Sequence, residues 1–285
     1  MITNPSVHDI PVLKRIWKEV FGDIDEYIDL FFREKFTVEN TLVYKENDTI
    51  VSMIFFPCYE IKIGTLKEKS GYICGAATLK AYRGQGIMGK LLEHSFAVMQ
   101  GLGYACTVLI PANEGLYRYY QKFGYETVFY KKEMVYHPAE DMEATIGFIK
   151  TEDAFDILPF YQRLIAGIEV VVLQNTATYQ TVFEDYKTAG GEVLLTDDGE
   201  GYLFVLRGTD TLYVKEFFYT KNIRSILGAL FLRYPQYQTI VVNEPENGCG
   251  EKSRELLKTG MLKILTKTVG IDRTQWTTYM NMMLN

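Results

Sequence analysis

Cysteine is scarce, and the four present, Cys58, Cys74, Cys106 and Cys249, are scattered without a Cys-x-x-Cys pair. That spacing supports neither a zinc site nor a disulfide framework, so no metal is expected. Free thiols in apolar strand-like runs behave as small hydrophobes, and buried cysteines are the expectation. Long apolar runs are missing too. No stretch reaches the ~18 residues of a membrane-crossing helix, and MITNPSVHDIPVLKRIW at the N-terminus lacks the basic start, apolar middle and small-residue end of a signal peptide. A cytoplasmic protein with no membrane partner is expected. A basic excess is also absent: 30 Lys and Arg stand against 36 Asp and Glu, for a net charge of −6. Phosphate neutralisation needs clustered Lys and Arg, so nucleic acid is not an expected partner. The small negative balance is weakly compatible with a cationic substrate and is also ordinary solubility chemistry.

What is present is the composition of a folded protein, with 47% apolar, 14% aromatic and 23% charged residues in a chain of 285. The length suits two domains, each able to bury a core. Residues 6 to 35 read as two amphipathic helices, the first capped by Ser6, carrying Ile10, Leu13, Ile16, Trp17 and Val20 on one face and stopping at Gly22. TLVYKENDTIVSMIFFPCYEIKI reads as two strands around an Asn-Asp turn, and GYICGAATL as a third. A helix from about residue 86 to 100, the strand YACTVLIP, the short helix EGLYRYYQKF and the strands GYETVFY and KKEMVYH complete one α/β domain over residues 1–140. The polar YHPAEDMEAT is the linker candidate.

Residues 151 to 189 read as helical, although NTATYQ is poorly formed for it. From residue 191 the elements are three strands, a helix and a strand, the same order as in the first half. Residues 150–285 are therefore expected to be a structural duplicate.

One stretch of the first half carries chemistry. In YRGQGIMGKLL, residues 82 to 92, a basic residue and two glycines directly precede an apolar run at helical spacing. A helix start leaves unpaired N–H groups and a partial positive charge, which form an anion site. Gly84 and Gly86 allow that backbone to approach a ligand without an obstructing Cβ. The competing reading is a tight strand-to-helix turn with Arg83 in solvent. A P-loop is excluded, because Lys90 is followed by Leu91 where a Mg²⁺-binding hydroxyl is needed. GQGIMG matches a dinucleotide-binding string, but the strand before it does not open a βαβ unit, which counts against that use.

Downstream lies PANEGLYRYYQKFGY, residues 111 to 125. Arg83-Gly84-Gln85-Gly86 at a helix start, followed by Asn113 and by Tyr120 four residues before Gly124-Tyr125, resembles the GNAT superfamily of acetyl-CoA-dependent N-acetyltransferases. The family pattern is (R/Q)-x-x-G-x-(G/A), then N-x-x-x-x-x-x-Y-x-x-x-G-(F/Y), and the resemblance covers residues 5 to 137. Met88 departs from it, standing at the usual small position ahead of Gly89. With the N-terminal helix pair and the second half, this is similar to the branch of the enhanced intracellular survival acetyltransferases, without the sterol-carrier-like third domain for which this length leaves no room.

The resemblance implies a GNAT fold, an α/β architecture around a mixed sheet, in two tandem copies of which the second is degenerate. It implies acetyl-CoA as cosubstrate, with its pyrophosphate on the backbone of Arg83, Gly84, Gln85, Gly86, Ile87, Met88 and Gly89. The pantetheine arm would run beside Ala76, Ala77 and Thr78 as an added strand. Ala76 and Ala77 are small, which leaves room for the arm or for close helix packing. Asn113 is either an arm contact or a helix cap.

The implied reaction is attack of a neutral amine on the thioester. An alkyl amine with pKa ~10.4 is neutral in roughly one molecule in a few thousand at pH 7, so a base is needed. Tyr120 stands at the family's general-acid position. A phenol of pKa ~10 against a thiol of ~8.5 makes full proton transfer uphill by about 2 kcal/mol, so hydrogen bonding to the developing thiolate is its expected role. Tyr117 and Tyr119 are expected to pack, and His94 to be in solvent. Glu114 and Glu60 are candidate bases. In multidomain relatives the terminal carboxylate is the base, which makes Asn285 at the end of TTYMNMMLN a further candidate.

In the second half the equivalent turn, YTKNIRSIL, has no glycine, so no CoA is expected there despite Lys221 and Arg224; that half is expected to wall the amine pocket. The substrate is expected to be a small-molecule or peptide amine, and homo-oligomerisation is open. The rival functions are a catalytically inactive CoA-binding sensor or scaffold, and an α/β interaction module with an empty glycine loop.

Overall fold

The computed structural model describes residues 1–139, 142, 144–245, 256–266, 276–281 and 283. The chain divides into two compact units, one of residues 1–129 with 259–276, the other of residues 130–258 with 277–284.

In the first unit, β1 (Ile2–Thr3) leads through a short 3₁₀ turn to α1 (Ile10–Phe21) and α2 (Asp25–Glu34). Gly22, at φ 77°, ends α1 in the left-handed conformation that only glycine adopts cheaply. Trp17 packs on Phe31 with ring centroids 4.5 Å apart, which joins the two helices. β2 (Thr41–Glu46) and β3 (Thr49–Phe55) follow. Asn47 and Asp48 both have positive φ between them, as a two-residue hairpin turn requires.

The sequence reading placed two strands between residues 41 and 63, and there are three. β4 (Cys58–Ile63) forms a hairpin with β5 (Leu66–Thr78), which starts earlier than expected because its lysine- and glutamate-rich first half is an exposed hairpin arm. Cys58 opens β4 at an exposed position, contrary to the expected burial; Cys74 is half-buried and Cys106 buried, while Cys249 lies outside the described residues. At Gly75, φ is 53° and a Cβ would lie 2.5 Å from Trp17 and 2.6 Å from Phe55. The register of β3 against β5 shifts at this point.

α3 (Ile87–Gly101), β6 (Cys106–Leu109), α4 (Glu114–Gln121) and β7 (Glu126–Tyr136) follow, β7 being one strand where two were expected. The sheet order is β1-β2-β3-β5-β6, antiparallel throughout except for the parallel β5–β6 pair. α3 covers it with Leu91, Leu92, Phe96 and Met99, which join Ile54, Phe56, Tyr120 and Tyr125 in one buried cluster.

The second unit starts within β7, at residue 130, and continues with β8 (Phe148–Thr151) and α5 (Leu158–Leu164). The segment read as continuous helix contains a strand, β9 (Val170–Leu173), before α6 (Thr176–Thr188). The residues that looked poor for a helix are its start: Asn175 and Thr178 form a reciprocal capping box. Then come β10 (Glu192–Thr196), β11 (Gly201–Arg207), β12 (Leu212–Tyr219), α7 (Ile223–Arg233), β13 (Ile240–Pro245), β14 (Leu256–Ile264), which from residue 259 belongs to the first unit, and β15 (Thr278–Tyr279).

The order β8-β10-β11-β12-β13 repeats the first sheet, strand for strand, with β12–β13 as the parallel pair. Two helices precede the second strand in both units, and one helix joins the parallel pair. The outermost strands are exchanged: β14, late in the chain, lies antiparallel to β6 with Met261 opposite Leu109, whereas β7 lies antiparallel to β13 with Val241 opposite Val135. No helix among the described residues is long and apolar enough to cross a membrane.

Candidate active site

The glycine loop sits where β5 gives way to α3. Gly84 and Gly86 have φ of 78° and 74°, and a Cβ at either would meet nothing within 4 Å. Backbone conformation demands glycine there, and the space outside it is open. Gly86 is the N-cap of α3, and no side chain caps the helix among the described residues. The first intrahelical bond runs from Lys90 N–H to the Gly86 carbonyl at 3.2 Å, so the amides before it point outward with the helix dipole behind them. Arg83 ties the loop to the strand by donating from Nε to the Thr78 carbonyl at 2.9 Å.

Behind the loop, the parallel ladder between β5 and β6 stops at Ile73 opposite Leu109, although β5 continues to Thr78. Among the described residues no strand pairs with residues 74 to 78 on the β6 side. Ala76 and Thr78 line a cleft of about 780 Å³ together with Arg83, Gly84, Gly86, Ile87, Met88 and Asn113. Ala77 is fully buried, with its backbone opposite Met53. Gln85 reaches back to the Ala81 carbonyl at 3.5 Å, and Gly89 meets Phe123, where a Cβ would lie 3.1 Å away. The loop's backbone, Ala76 and Thr78 are thus brought together, while Ala77, Gln85, Gly89 and Tyr120 lie outside the lining.

Asn113 is the N-cap of α4, its Oδ1 accepting from Leu116 N–H at 3.1 Å, and it also lines the cleft. Tyr119, expected only to pack, packs on Phe123 at 5.1 Å and lines the cleft as well. Val20 and Phe21, Tyr82 and Leu116 are further lining residues the sequence reading did not select. The signal was present in part: Leu116 and Tyr119 share a helical face with Tyr120 and Phe123.

Tyr120 is buried, with its ring edge-on to Tyr119 at 5.4 Å and edge-on to Tyr125 at 5.8 Å. No described residue hydrogen-bonds its hydroxyl. Burial, then the neighbouring Tyr119, pushes its phenol up to about 12, so it is a protonated donor throughout the physiological range. Of the other candidates, Glu60 is exposed opposite Lys69 on β5, Glu114 is exposed in the first turn of α4, and His94 is exposed on α3. Asn285 lies outside the described residues. No cluster of His, Cys, Asp and Glu able to hold a metal exists among the described residues.

α7 occupies in the second unit the place of α3. Its N-cap Asn222 fills the helix start by accepting from Arg224 N–H at 2.9 Å. The neighbouring Lys221 is paired with Asp198 at 2.9 Å.

Known proteins share this architecture. A conserved protein of unknown function from Enterococcus faecalis V583 is similar over 93% of this chain and 72% of its own, with a TM-score of 0.76 at 14% identity. A GCN5-related N-acetyltransferase from Anabaena variabilis matches over 93% and 73%, with a TM-score of 0.74 at 18% identity. Eis1 from Mycobacterium abscessus matches over 93% and 74%, with a TM-score of 0.69 at 12% identity. No curated protein sequence matches the chain. The family model described as Acetyltransferase (GNAT) domain matches residues 3–128, the segment that contains the open loop, residues 74 to 78 of β5 and Tyr120. Residues 3–128 thus carry a GNAT acetyltransferase domain.

Proposed function

We propose that the chain is an acetyl-CoA-dependent N-acetyltransferase with one CoA site, in the first unit, acting on a primary amine. The observation that carries this is the cleft bordered by the uncapped amides at the start of α3 and by Ala76 and Thr78 of β5 behind them, with the buried Tyr120 packed against the lining residue Tyr119. The residues fit the cosubstrate. The outward amides from Gly84 to Met88 suit a pyrophosphate, and the edge of β5 beyond Ile73, which no described strand covers, offers main-chain groups to a pantetheine arm. Asn113 borders the same cleft.

The amine nitrogen attacks the thioester carbonyl, the C–S bond of the tetrahedral oxyanion breaks, and an amide and CoA thiolate result. Tyr120 at about 12 against a thiol near 8.5 makes complete transfer uphill by about 5 kcal/mol. Its role is to hydrogen-bond the developing thiolate, which takes its proton in the end from the amine by way of Tyr120 or water.

Residues 1–140 supply the catalytic domain, to whose sheet β14 adds a strand, and the rest of residues 150–285 a degenerate GNAT-like domain whose helix start is occupied by Asn222. The repeat and the N-terminal helix pair support membership of the enhanced intracellular survival branch. The test is calorimetry with acetyl-CoA combined with mass-spectrometric detection of acetylated product from a mixture of amines. Binding with product supports the reading; binding without any product favours a sensor, and no binding removes the CoA site.

A further inference from the structure

The cleft beside β5 is walled from both faces of the sheet. α3 and α4 cover one face, where Ile54, Phe56 and Ile73 pack with Leu91, Leu92 and Tyr120. α1 and α2 cover the other, where the Trp17 ring stands 4.5 Å from Phe31 and 5.6 Å from Phe55, none of the three belonging to the first cluster. β5 alternates between them: a Cβ at Gly75 would lie 2.5 Å from Trp17, whereas the next residue, Ala76, packs on the α3 side. The lining divides in the same way. Ile87, Met88, Leu116 and Tyr119 come from the α3 and α4 side, while Val20 and Phe21, the last two residues of α1, come from the other.

Phe21 is 44% exposed, yet its place is fixed. Its ring meets Trp17 edge-on at 5.4 Å. The Gly22 N–H closes α1 on the Lys18 carbonyl at 3.0 Å, and Trp17 Nε1 donates to Asp23 Oδ2 at 2.8 Å, so the chain beyond Phe21 is tied to the same indole. A large ring held still and left partly in water beside a cleft is a ready contact for an apolar ligand. The charges agree with this. Among the described residues, Arg83 is the one charged group in the lining, and its Nε is committed to the Thr78 carbonyl. Of the acids where α1 turns into α2, Asp23 accepts from Trp17 and Asp25 pairs with Lys18 at 3.0 Å. The described lining thus holds no counter-charge for a polycation.

We infer that the acceptor is a monoamine on an apolar body, an arylalkylamine or bulky alkylamine, and that this body packs on Phe21 and Val20. This rests on the reading of the cleft as an acetyl-transfer site. A pantetheine arm along the β5 edge lies between the two faces of the sheet, and Tyr120, which serves the leaving sulfur, belongs to the α3 face. The amine is then left the α1 face, where Phe21 stands. Apolar surroundings also favour the neutral amine over its ammonium, and the neutral amine is the form that attacks.

The test compares phenethylamine, ethylamine and spermidine as acceptors for acetyl-CoA, using the full chain and Phe21→Ala, Phe21→Tyr and Leu102→Ala variants, with calorimetry of acetyl-CoA throughout. Leu102, a similarly exposed apolar residue just past the C-terminal end of α3, controls for truncation alone. The wild type should favour phenethylamine over both other amines by at least about tenfold in kcat/KM. Phe21→Ala should remove most of the advantage over ethylamine, mainly through KM and with acetyl-CoA affinity unchanged. Phe21→Tyr should keep it, and Leu102→Ala should match the wild type. Spermidine used as well as phenethylamine, or a preference that Phe21→Ala leaves intact, overturns the inference while the transferase reading stands. Weaker acetyl-CoA binding by Phe21→Ala also overturns it, by assigning the ring to the cosubstrate. If no amine is acetylated although acetyl-CoA binds, both readings fall.

Discussion

Tyr125 donates its hydroxyl to Thr107 Oγ1 across 3.1 Å, because the Thr107 hydrogen is already committed to the Gly71 carbonyl at 2.8 Å. The bond pins the aromatic residue after Gly124 to β6, and Tyr125 in turn presents its ring to Tyr120. The placement of the phenol is thus settled by the strand pair on which the acyl arm would lie.

Replacing Tyr120 by Phe keeps these ring contacts and removes only the donor. The expected result is a fall in kcat of about 10²-fold or more with acetyl-CoA affinity unchanged within about twofold. Steady-state kinetics beside calorimetry would show it. A loss confined to binding would mean that Tyr120 is an arm contact.

Gly86→Val and Gly84→Val force a β-carbon onto left-handed backbone and block the open space before the amides. Each should cost about 1–2 kcal/mol of stability from strain alone. Gly103→Val, at φ 78° beyond the far end of α3 and equally unobstructed, is the control. The strain is similar there, so only the two loop variants should weaken acetyl-CoA, by about tenfold or more.

Glu216 is buried in the second unit, where it accepts from Tyr179 at 2.8 Å, Tyr202 at 2.9 Å, Asn281 at 3.2 Å, and Tyr279. Burial raises its carboxyl, and these donors partly offset the rise. Glu216→Leu strands three hydroxyls and should cost about 3–5 kcal/mol, measured by chemical denaturation. Glu216→Gln should cost less. Hydrogen exchange at Thr278 to Asn281 should rise in both, since these residues are held by the same carboxylate.

The pH dependence of stability has an identifiable contributor in Asp198. Desolvation raises its carboxyl, but hydrogen bonds from Lys221, Thr196 and Tyr219 together outweigh that and hold it at about 2. A carboxylate whose folded value lies below the unfolded one stabilises above the unfolded value and loses that contribution as pH falls through the folded value. The loss should therefore run from about pH 4 to pH 2, and after screening at this exposed turn it amounts to about 1 kcal/mol. Asp198→Asn should flatten that part of the stability profile. An unchanged slope between pH 4 and 2 would assign the acid loss elsewhere.

The parts of the site read most easily from sequence were those determined locally. Gly84 and Gly86 ahead of a helical apolar run, and Asn113 ahead of a short amphipathic one, act within a turn of their own positions. The strand β9 was hidden because four apolar residues between two helices have the same pattern as a buried helical turn. The hairpin arm from Leu66 was hidden by its charged residues, which pair with β4 at an exposed position. Cys58 was misjudged because the exposure of a strand's first residue depends on what lies beyond the hairpin.

The exchange of β7 and β14 sets the order in which the molecule can be completed during synthesis. When α4 leaves the ribosome, the β6 edge still lacks its partner, which arrives only with residues 259 to 264. Until then its amides and carbonyls are open to any passing strand. A fragment cut at the linker would keep that edge permanently bare, so neither half of the gene encodes a finished half of the protein.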